Sequence, residues 1–274
     1  MGVSLLVVNY NTKDLIQRLV HVLNAEYEPG VWKLHIIDNG STDGSKEILD
    51  RMFAIPELHI DSLTHGENVG YAKAINRLSH MDNEEYLCAV NADTWFSTRH
   101  VKQVIESFKE NPNAAVIGVK QMDEQARIRH GGIFWDKQSH PIHRGWSEMD
   151  PLDAKYKDVK QCWTVSGSIY YMRRDVWNEV YEDPAYKEIA PEAEGAFLPT
   201  PFYFEETFFS QVVQHKGYEV WYDGTIETAG HTWNASTGKT HDDRLRSLFA
   251  ESRGMYMRAC DLFGIEHECK DVQV

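Results

Sequence analysis

Three apolar segments of this chain run directly into short polar segments. Because the carboxyl ends of parallel strands meet at one edge of an open α/β sheet, where such folds bind ligands, we expect the three polar segments to converge on one crevice. Carboxylate and amide oxygens suit hard divalent cations, so this crevice could hold a metal ion. A lone Asp after a strand more often caps a turn, and only the coincidence of three favours a site. The junctions are 86–90 before Asn91-Ala92-Asp93, 5–8 before Asn9-Tyr10-Asn11, and 34–37 before Asp38-Asn39.

Strands and helices alternate around these junctions. Thr12 is placed to cap a first helix, and residues 58–60 are predicted to form a strand before the third helix. This alternation is typical of right-handed βαβ units, so we predict an α/β fold with a mainly parallel central sheet flanked by helices. The apolar helical positions are Leu15, Ile16, Leu19, Val20 and Leu23 in the first helix, Ile48, Leu49, Met52 and Phe53 in the second, and Ala72, Ile75 and Leu78 in the third.

The rest of the chain is less regular. Residues 122–161 give no clear pattern, and the four prolines within residues 182–201 predict a long acidic loop. The final helix is amphipathic, and we interpret its apolar face as core packing. The remaining predictions are a helix at 101–110, a strand at 114–119, a strand at 163–171 broken at Gly167, a helix at 174–181, a helix from Glu205, a strand at 218–222 and the final helix at 242–263.

Composition limits the partners that this chain could bind. Its 274 residues are 42% hydrophobic, which is enough for a sizeable core. A formal net charge of −14 disfavours non-specific attraction to nucleic acids or anionic membranes. No stretch approaches the ~20 apolar residues of a spanning helix, so we expect no integral membrane segment. Cys88, Cys162, Cys260 and Cys269 show no close pairing, which favours a reducing, cytoplasmic location.

Two common nucleotide-binding motifs are excluded. A dinucleotide-binding fold needs glycines in its first strand-to-helix turn, and residues 9–14 contain none. Residues 40–46 superficially match a phosphate-binding loop, but the glycine spacing is wrong and no Ser or Thr follows Lys46. A nicotinamide dehydrogenase and a phosphate-loop NTPase are therefore disfavoured.

Six segments, in their order along the chain, resemble the inverting family 2 glycosyltransferases of the GT-A fold, especially bacterial rhamnosyltransferase-like members. Each segment is a weak signal alone, and together they form a strong one. The resemblance implies a single GT-A domain over 1–274, with a nucleotide-sugar-binding half (1–95), an acceptor-binding and catalytic half (96–241) and a C-terminal helix (242–274). The segments are residues 7–11, 37–45, 68–76, 91–93, 165–168 and 203–206.

The resemblance also implies a nucleotide-sugar donor, linked to UDP, TDP or GDP. Asn9, Asn11 and Asp38 would face the nucleoside, although Asp38 has the alternative role of capping the loop at Gly40. Lys73 would supply a positive charge beside the diphosphate, although a solvated helix face is its simpler role. The donor-binding residues implied are Asn9, Tyr10, Asn11, Asp38, Asn39, Gly70, Lys73, Asn91, Ala92, Gly167 and Ser168.

The metal site implied by the resemblance binds Mn²⁺ or Mg²⁺. Asp93 matches the last carboxylate of the family's Asp-x-Asp motif, whose first Asp is replaced here by Asn91. His231 matches a histidine that often lies after a late strand and would be a further ligand. A lone histidine is more often structural, and the resemblance favours the ligand role.

Glu205 and Glu206 stand where the family has Glu-Asp, and the second member is the general base. The resemblance therefore implies that Glu206 removes the proton of the acceptor hydroxyl. The simpler explanation for two acidic residues at a helix start is the helix dipole. Phe208 replaces an acidic residue of the family pattern, so the acceptor side departs most from it.

We therefore expect an inverting transfer of a sugar to a hydroxyl acceptor, such as a glycan or a surface-polysaccharide precursor, with Trp135, Trp146 and Trp163 stacking on the acceptor. Three alternatives are a sugar-nucleotide pyrophosphorylase, disfavoured by the first loop, a non-catalytic nucleotide-sugar- or carbohydrate-binding protein, and a transferase acting on a modified base in DNA. The last would need a basic channel containing Arg127, Arg129, His130, His143 and Arg144.

Overall fold

The computed structural model of the protein describes residues 2–55, 58–135, 141–232 and 243–266. Strands within these residues form one large sheet, one small sheet and a hairpin. The strands are β1 Val3–Asn9, β2 Trp32–Asn39, β3 Ile60–His65, β4 Tyr86–Asn91, β5 Thr94–Trp95, β6 Ala114–Val119, β7 Gln121–Met122, β8 Ile128–His130, β9 Ile133–Trp135, β10 Pro141–His143, β11 Val159–Gln161, β12 Ile169–Arg173, β13 Glu219–Asp223 and β14 Ala229–His231.

Helices cover both faces of the large sheet. Their apolar residues divide into two cores, one under α1, α2 and α4 and the other under α3, α5, α7 and α8. Within β1 the side chains alternate, since Leu5 joins the first core and Leu6 the second. The helices are α1 Lys13–Ala25, α2 Ser45–Phe53, α3 Tyr71–Leu78, α4 Thr98–Glu110, α5 Arg174–Glu182, α6 Pro184–Ile189, α7 Glu205–His215 and α8 Asp243–Phe263.

The large sheet has the order β11-β13-β6-β12-β4-β1-β2-β3. Strands β3, β2, β1 and β4 are parallel, β6 and β13 run the same way, and β12 and β11 are reversed. This arrangement confirms the α/β fold with a mainly parallel sheet. It also brings the carboxyl ends of β1, β2, β4 and β6 to the edge where β12 begins.

The small sheet has the order β5-β14-β7-β8 and lies beyond that edge. It accounts for much of the segment that the sequence left without a pattern, and β9 pairs with β10 as a hairpin. None of the described helices is long and apolar enough to cross a membrane. Cys88 and Cys162 are buried free thiols, Cys260 is also buried, and Cys269 lies outside the described residues.

Several boundaries differ from the sequence prediction. The strand predicted at 58–60 begins at Ile60 and continues to His65, because an edge strand with one partner tolerates polar residues that hide its pattern. The strand predicted at 163–171 begins only at Ile169, since the amide of Trp163 bonds instead to the carbonyl of Ile133. The short helix α6 lies within the predicted acidic loop, where Asp183 caps it and Pro184 occupies its first turn.

Two smaller details also differ. Thr12 precedes α1, but its hydroxyl donates to Asn9 Oδ1 at 2.7 Å and makes no capping bond with the helix. Phe53 is 52% exposed and does not join the buried face of α2, which is formed by Ile48, Leu49 and Met52. The faces predicted for α1 and α3 are buried as expected, except that Leu15 of α1 is only partly buried.

Candidate active site

The register of the sheet places the polar ends of its strands side by side. Asn9 pairs with Asp38, and Val8 pairs with Asn91. Asn9 Nδ2 donates to Asp38 Oδ2 at 2.7 Å and to Ser41 Oγ at 3.1 Å. The three polar junctions therefore meet at one edge of the sheet, as the sequence predicted.

Asp38 is almost fully buried at this edge. Its Oδ1 accepts from the backbone amide of Ser41 at 3.0 Å, which is the loop-capping role that the sequence left open. A carboxylate oxygen has two lone pairs, so this bond leaves further acceptor capacity. Contact with a nucleoside stays a prediction for Asp38.

The loops beside these strand ends form an open surface. Tyr10 is 46% exposed, and Asn11 has φ 53° and accepts from the amide of Thr42 at 2.7 Å. Asn39 Nδ2 donates to Asn68 Oδ1 at 2.9 Å, which holds the chain just before Gly70. Gly70 has φ 90° and begins α3, on which Lys73 is exposed.

Asp93 and His231 face each other between the two sheets. Asp93 Oδ2 lies 3.5 Å from His231 Nε2, and both residues are buried. Pairing of β5 with β14 sets this distance, because His231 pairs with Thr94, and the amide of Thr232 donates to the Asp93 carbonyl at 2.9 Å. A carboxylate and an imidazole at this separation fit two ligands of one Mn²⁺ or Mg²⁺ ion, whose other ligands would be phosphate and water.

No third carboxylate, imidazole or thiolate completes this group within the described residues. Asn91 makes two hydrogen bonds through its backbone: its amide donates to the Ser168 carbonyl at 2.8 Å, and its carbonyl accepts from Thr94 Oγ1 at 2.8 Å. Ala92 is buried beneath it. The first bond ties the end of β4 to the turn that precedes β12, and the second ties it to the start of β5.

Glu205 and Glu206 begin α7 at the same edge. Because α7 leads into β13, which is parallel to β6, its first residues lie where the parallel strands end. A Cβ added to Gly167 would be 3.2 Å from the Cδ atom of Glu206, and the Glu206 carbonyl accepts from the Tyr170 hydroxyl at 3.1 Å. The carboxyl group of Glu206 therefore lies against the turn at residues 166–168.

Tyr71 connects the acidic pair with Asp93. Its hydroxyl donates to the Gly167 carbonyl at 3.4 Å. Burial first, and then the nearby carboxylates of Glu205, Glu206 and Asp93, raise the pKa of Tyr71 well above its usual range. Because all three carboxylates are near enough to Tyr71 to raise its pKa, Asp93 and Glu206 lie on the same side of the molecule.

The two glutamates differ in their proton affinity. Burial raises the pKa of Glu206 to about 7. Burial and the charge of Glu206 raise the pKa of Glu205 well above its usual range, and Thr200 Oγ1 lies 3.4 Å from Glu205 Oε2. At neutral pH Glu205 therefore keeps its proton while Glu206 can lose one, so Glu206 is poised to act as a base.

Two buried residues lie beneath this turn, of which sequence reasoning missed Gln121 and named His130 only for the alternative basic channel. Gln121 Oε1 accepts from the Ser168 hydroxyl at 2.7 Å, and the Ser166 amide donates to His130 Nε2 at 3.4 Å. Burial, followed by the charges of His143, Arg144 and His231, lowers the pKa of His130 to about 3, so the ring is neutral. A lone Gln and a lone His have no spacing that could have identified them.

The residues proposed for a basic channel are partly neutralised. Arg129 pairs with Asp123 at 2.5 Å, and Arg144 makes two bonds of 2.9 Å with Asp158. Burial lowers the pKa of His143 as well as that of His130. These contacts do not favour a strongly positive groove.

Two of the three tryptophans pack together beside the second half of α7. Trp135 and Trp163 are half-buried with ring centroids 5.1 Å apart, and the Trp163 carbonyl accepts from Gln211 and Gln214 of α7 at 2.9 Å each. Trp146 is 37% exposed and lies beside Arg129. Trp163 is thereby fixed to the helix that begins with Glu205.

Comparison of sequences gives one matching family. The model of the family described as glycosyl transferase family 2 matches residues 4–179. The glycosyltransferase TuaG of Bacillus subtilis, assigned to teichuronic acid biosynthesis, is 29% identical over 109 residues, which are 39% of this chain and 42% of that protein. The poly-beta-1,6-N-acetyl-D-glucosamine synthase of Staphylococcus epidermidis is 30% identical over 134 residues, which are 46% of this chain and 30% of that protein. The matches thus span less than half of either relative.

Two solved structures resemble most of the chain at low sequence identity. The mannosyltransferase PcManGT of Pyrobaculum calidifontis, in complex with GDP-Man and Mn²⁺, has a TM-score of 0.60 and 13% identity, covering 93% of this chain and 64% of that chain. GalNAc-T7 with UDP, GalNAc and Mn²⁺ has a TM-score of 0.65 and 13% identity, covering 95% of this chain and 48% of that chain. At this identity the likeness concerns the fold.

Proposed function

Because the chain belongs to glycosyl transferase family 2 and has the GT-A fold, we propose that it transfers a sugar, with inversion, from a nucleotide-diphosphate donor to a hydroxyl acceptor. The observation that carries this proposal is the position of Glu206. Its buried carboxyl group, with a pKa of about 7, lies at the same edge of the sheet as the buried pair of Asp93 and His231. A base and a site for a divalent cation on one side are what such a reaction requires.

In the proposed reaction Glu206 takes the proton of the acceptor hydroxyl. The acceptor oxygen then forms a bond to the anomeric carbon as the bond from that carbon to the diphosphate oxygen breaks, and the nucleoside diphosphate leaves with the electron pair. Because attack occurs opposite the leaving group, the anomeric configuration inverts. A pKa near neutrality makes Glu206 ionised often enough, and basic enough, for this step.

We propose that Asp93 and His231 hold Mn²⁺ or Mg²⁺, which would offset the charge that develops on the diphosphate. The solved structures that resemble this chain contain Mn²⁺, which supports a divalent ion. Asn91 would serve by tying the end of β4 to the Ser168 carbonyl. Gly167 and Ser168 would offer backbone groups to the donor sugar.

The nucleoside would lie over the loops that follow β1 and β2. Asn9 donates to Asp38 there, and the amide of Asn11 donates to the Ser41 hydroxyl, which also accepts from Asn9. Tyr10 and Asn39 border the same surface. The first turn of α3 at Gly70 and the exposed Lys73 would face the diphosphate, because unpaired amides and a cation attract anions. Which base and sugar bind, including the rhamnosyltransferase-like subgroup, stays a prediction.

For the acceptor we propose a glycan or a polysaccharide precursor. The named activities of the relatives in Bacillus and Staphylococcus concern polysaccharides, and the half-buried pair of Trp135 and Trp163 offers ring faces beside α7. Aromatic rings pack well against the apolar faces of sugars. The buried free thiols of Cys88 and Cys162 fit the predicted cytoplasmic location.

The decisive test compares the wild type with Glu206→Gln. Release of nucleoside diphosphate is measured over a set of UDP-, TDP- and GDP-sugars with Mn²⁺, with water or a saccharide as acceptor. Loss of a general base lowers the rate by about 10²–10⁴-fold, while nucleotide binding, measured by calorimetry, should stay near the wild-type value. A variant that keeps most of its activity rejects Glu206 as the base. Tight nucleotide-sugar binding with no release by the wild type instead favours the non-catalytic binding protein.

A further inference from the structure

The backbone directly before the catalytic helix adopts an unusual conformation. Tyr203 has φ 64° and Phe204 has φ 75°, so two successive aromatic residues lie in the left-handed region. Side chains with a Cβ atom disfavour this region, and bulky side chains disfavour it strongly. Such a conformation persists only where surrounding contacts hold it in place. The turn at residues 202–204 therefore depends on its neighbours, and Glu205 and Glu206 follow it immediately.

Helix α8 supplies a hydrogen bond to this turn. Ser252 is fully buried, and its Oγ accepts from the backbone amide of Phe202 at 2.8 Å. From the other side, the Thr200 hydroxyl donates to the Tyr203 carbonyl at 2.7 Å. The turn is thus held at its first residue by α8 and at its second by the segment that precedes it.

Helix α8 also packs rings against the same turn. The Phe249 ring lies 5.1 Å from the ring of Phe204 and 6.3 Å from that of Tyr203, measured between centroids. Tyr256 stacks on Phe204 at 5.2 Å with an interplanar angle of 26°. Each of the three residues of the turn is therefore in contact with α8, through one hydrogen bond and three ring contacts.

We propose that helix α8 positions the base Glu206 by holding the left-handed turn at residues 202–204, with Ser252 and Phe249 as positioning residues. The proposal rests on the proposed role of Glu206. It goes beyond core packing, the role expected from the amphipathic pattern, because the contacts of Ser252 and Phe249 lie on the turn that orients the acidic pair. Residues 243–266 also lie outside the part of the chain that the family model matches.

The test uses the full chain with Ser252→Ala and, because loss of a buried acceptor could impair folding, the half-buried Phe249→Ala. The control is Cys260→Ala, which removes a buried side chain from the same helix face two turns further on. Hydrogen exchange of the amides in residues 200–206, which needs no ligand, should accelerate about tenfold in both test variants, since a hydrogen bond or ring contact of this kind is worth roughly that factor. The control should leave this segment unchanged.

The catalytic readout is nucleoside diphosphate release from the same set of UDP-, TDP- and GDP-sugars with Mn²⁺. Both test variants should lower kcat by about tenfold while the dissociation constant for UDP or GDP stays within about twofold. The acid limb of the pH profile should move to lower pH, because a loosened turn admits water to Glu206. Glu205, Tyr71, Tyr170 and Asp93 are the other ionisable groups near it, and neither substitution replaces any of them.

Unchanged exchange in residues 200–206 in both variants overturns the proposal, and so does a loss of kcat equal to that of Cys260→Ala. If Glu206→Gln is inactive while Ser252→Ala and Phe249→Ala resemble the wild type, only the positioning role fails. If Glu206→Gln is fully active, the base assignment fails first. The two failures are thus distinguishable.

Discussion

The carboxyl group of Glu206 lies against the Cα atom of Gly167. A Cβ atom at position 167 would be 3.2 Å from Cδ, 3.3 Å from Cγ and 3.4 Å from Oε1 of Glu206. A hydrogen bond joins the turn at Gly167 to the end of β4, because the Ser168 carbonyl accepts from the amide of Asn91 at 2.8 Å. The proposed base and the strand that leads to Asp93 are thus linked through one short turn.

This contact predicts that Gly167→Ala lowers turnover. The added methyl group would lie closer to the Glu206 side chain than Cβ atoms normally lie to their neighbours. The carboxyl group must therefore shift by a few tenths of an ångström. A displaced base should cost about tenfold in kcat, with nucleotide affinity nearly unchanged, because positioning errors act on the rate of the chemical step. Nucleoside diphosphate release and calorimetry measure the two quantities.

Gly66→Ala is the matched control for this substitution. A Cβ at Gly66 would meet nothing within 4 Å, so its kcat should equal that of the wild type. Equal kcat values for Gly167→Ala and Gly66→Ala would show that Glu206 does not depend on the contact with Gly167.

The parallel strands and the helices between them could be predicted from the sequence, because the patterns that indicate them lie within short segments of the chain. Strands β1, β2 and β4 are short apolar runs that end in polar residues, and the helices between them repeat apolar residues at helical spacing. The order of the remaining strands could not be read in this way. Strand β12 lies between β4 and β6 in reversed direction, and only contacts distant in sequence decide that placement.

For the same reason, some parts of the candidate site could be predicted from the sequence and others could not. Asp93, Glu206 and His231 matched a family pattern, and the structure places Asp93 with His231 and both Asp93 and Glu206 around Tyr71. The left-handed conformations at Tyr203 and Phe204 gave no signal, because neither position carries the Gly or Asn that usually marks them.

Activity should depend on pH through Glu206. Burial raises its pKa to about 7, and a general base must be ionised, so the rate should fall as the pH drops below that value. Between the plateau and pH 5 we expect a decrease of about 100-fold, one factor of ten for each pH unit. Initial rates from pH 5 to 9 with saturating donor test this, and a thermal melt at pH 5 checks that the protein is folded. A flat profile over that range would contradict an ionising Glu206.

Glu205→Gln should be tolerated much better than Glu206→Gln. Because burial and the charge of Glu206 raise the pKa of Glu205 well above its usual range, Glu205 is neutral at pH 7, and Gln replaces it with a neutral group of the same shape. We expect kcat within about tenfold of the wild type, against a loss of about 10²–10⁴-fold for Glu206→Gln. Nucleoside diphosphate release measures both. Equal losses would assign Glu205 a direct part in proton transfer.

The buried Lys120 should contribute strongly to stability. It is fully buried, and its ammonium group contacts Asp150, Asp153 at 2.8 Å and the Lys155 carbonyl at 2.7 Å. Lys120→Met leaves Asp150 buried without its cation and should lower the free energy of unfolding by about 3–5 kcal/mol. Urea denaturation measures this change. Lys46→Met, at an exposed residue that pairs with Asp50, is the control and should leave the free energy of unfolding nearly unchanged.

Lys120 also makes stability depend on pH. Although burial raises it, hydrogen bonds from Lys120 and from the amides of Ala154 and Lys155 lower the pKa of Asp150 to about 2. A carboxyl group whose folded pKa is depressed stabilises the protein above its unfolded value, near 3.9, and this contribution is lost as the pH falls toward 2. A wild type whose stability is constant between pH 4 and pH 2 would contradict this assignment.

Asp93→Ala should uncouple nucleotide binding from the metal. If Asp93 and His231, 3.5 Å apart, share one divalent ion, then removing the carboxylate removes half of the protein's ligands and most of their charge. In calorimetry the wild type should bind UDP or GDP more tightly with Mn²⁺ than without it, by about tenfold or more. The variant should bind equally weakly with and without Mn²⁺. Asp123→Ala removes a carboxylate that pairs with Arg129 and should keep the full Mn²⁺ effect. If Asp93→Ala also keeps it, the ion is held by other groups, and Asp93 acts only through its buried contact with His231.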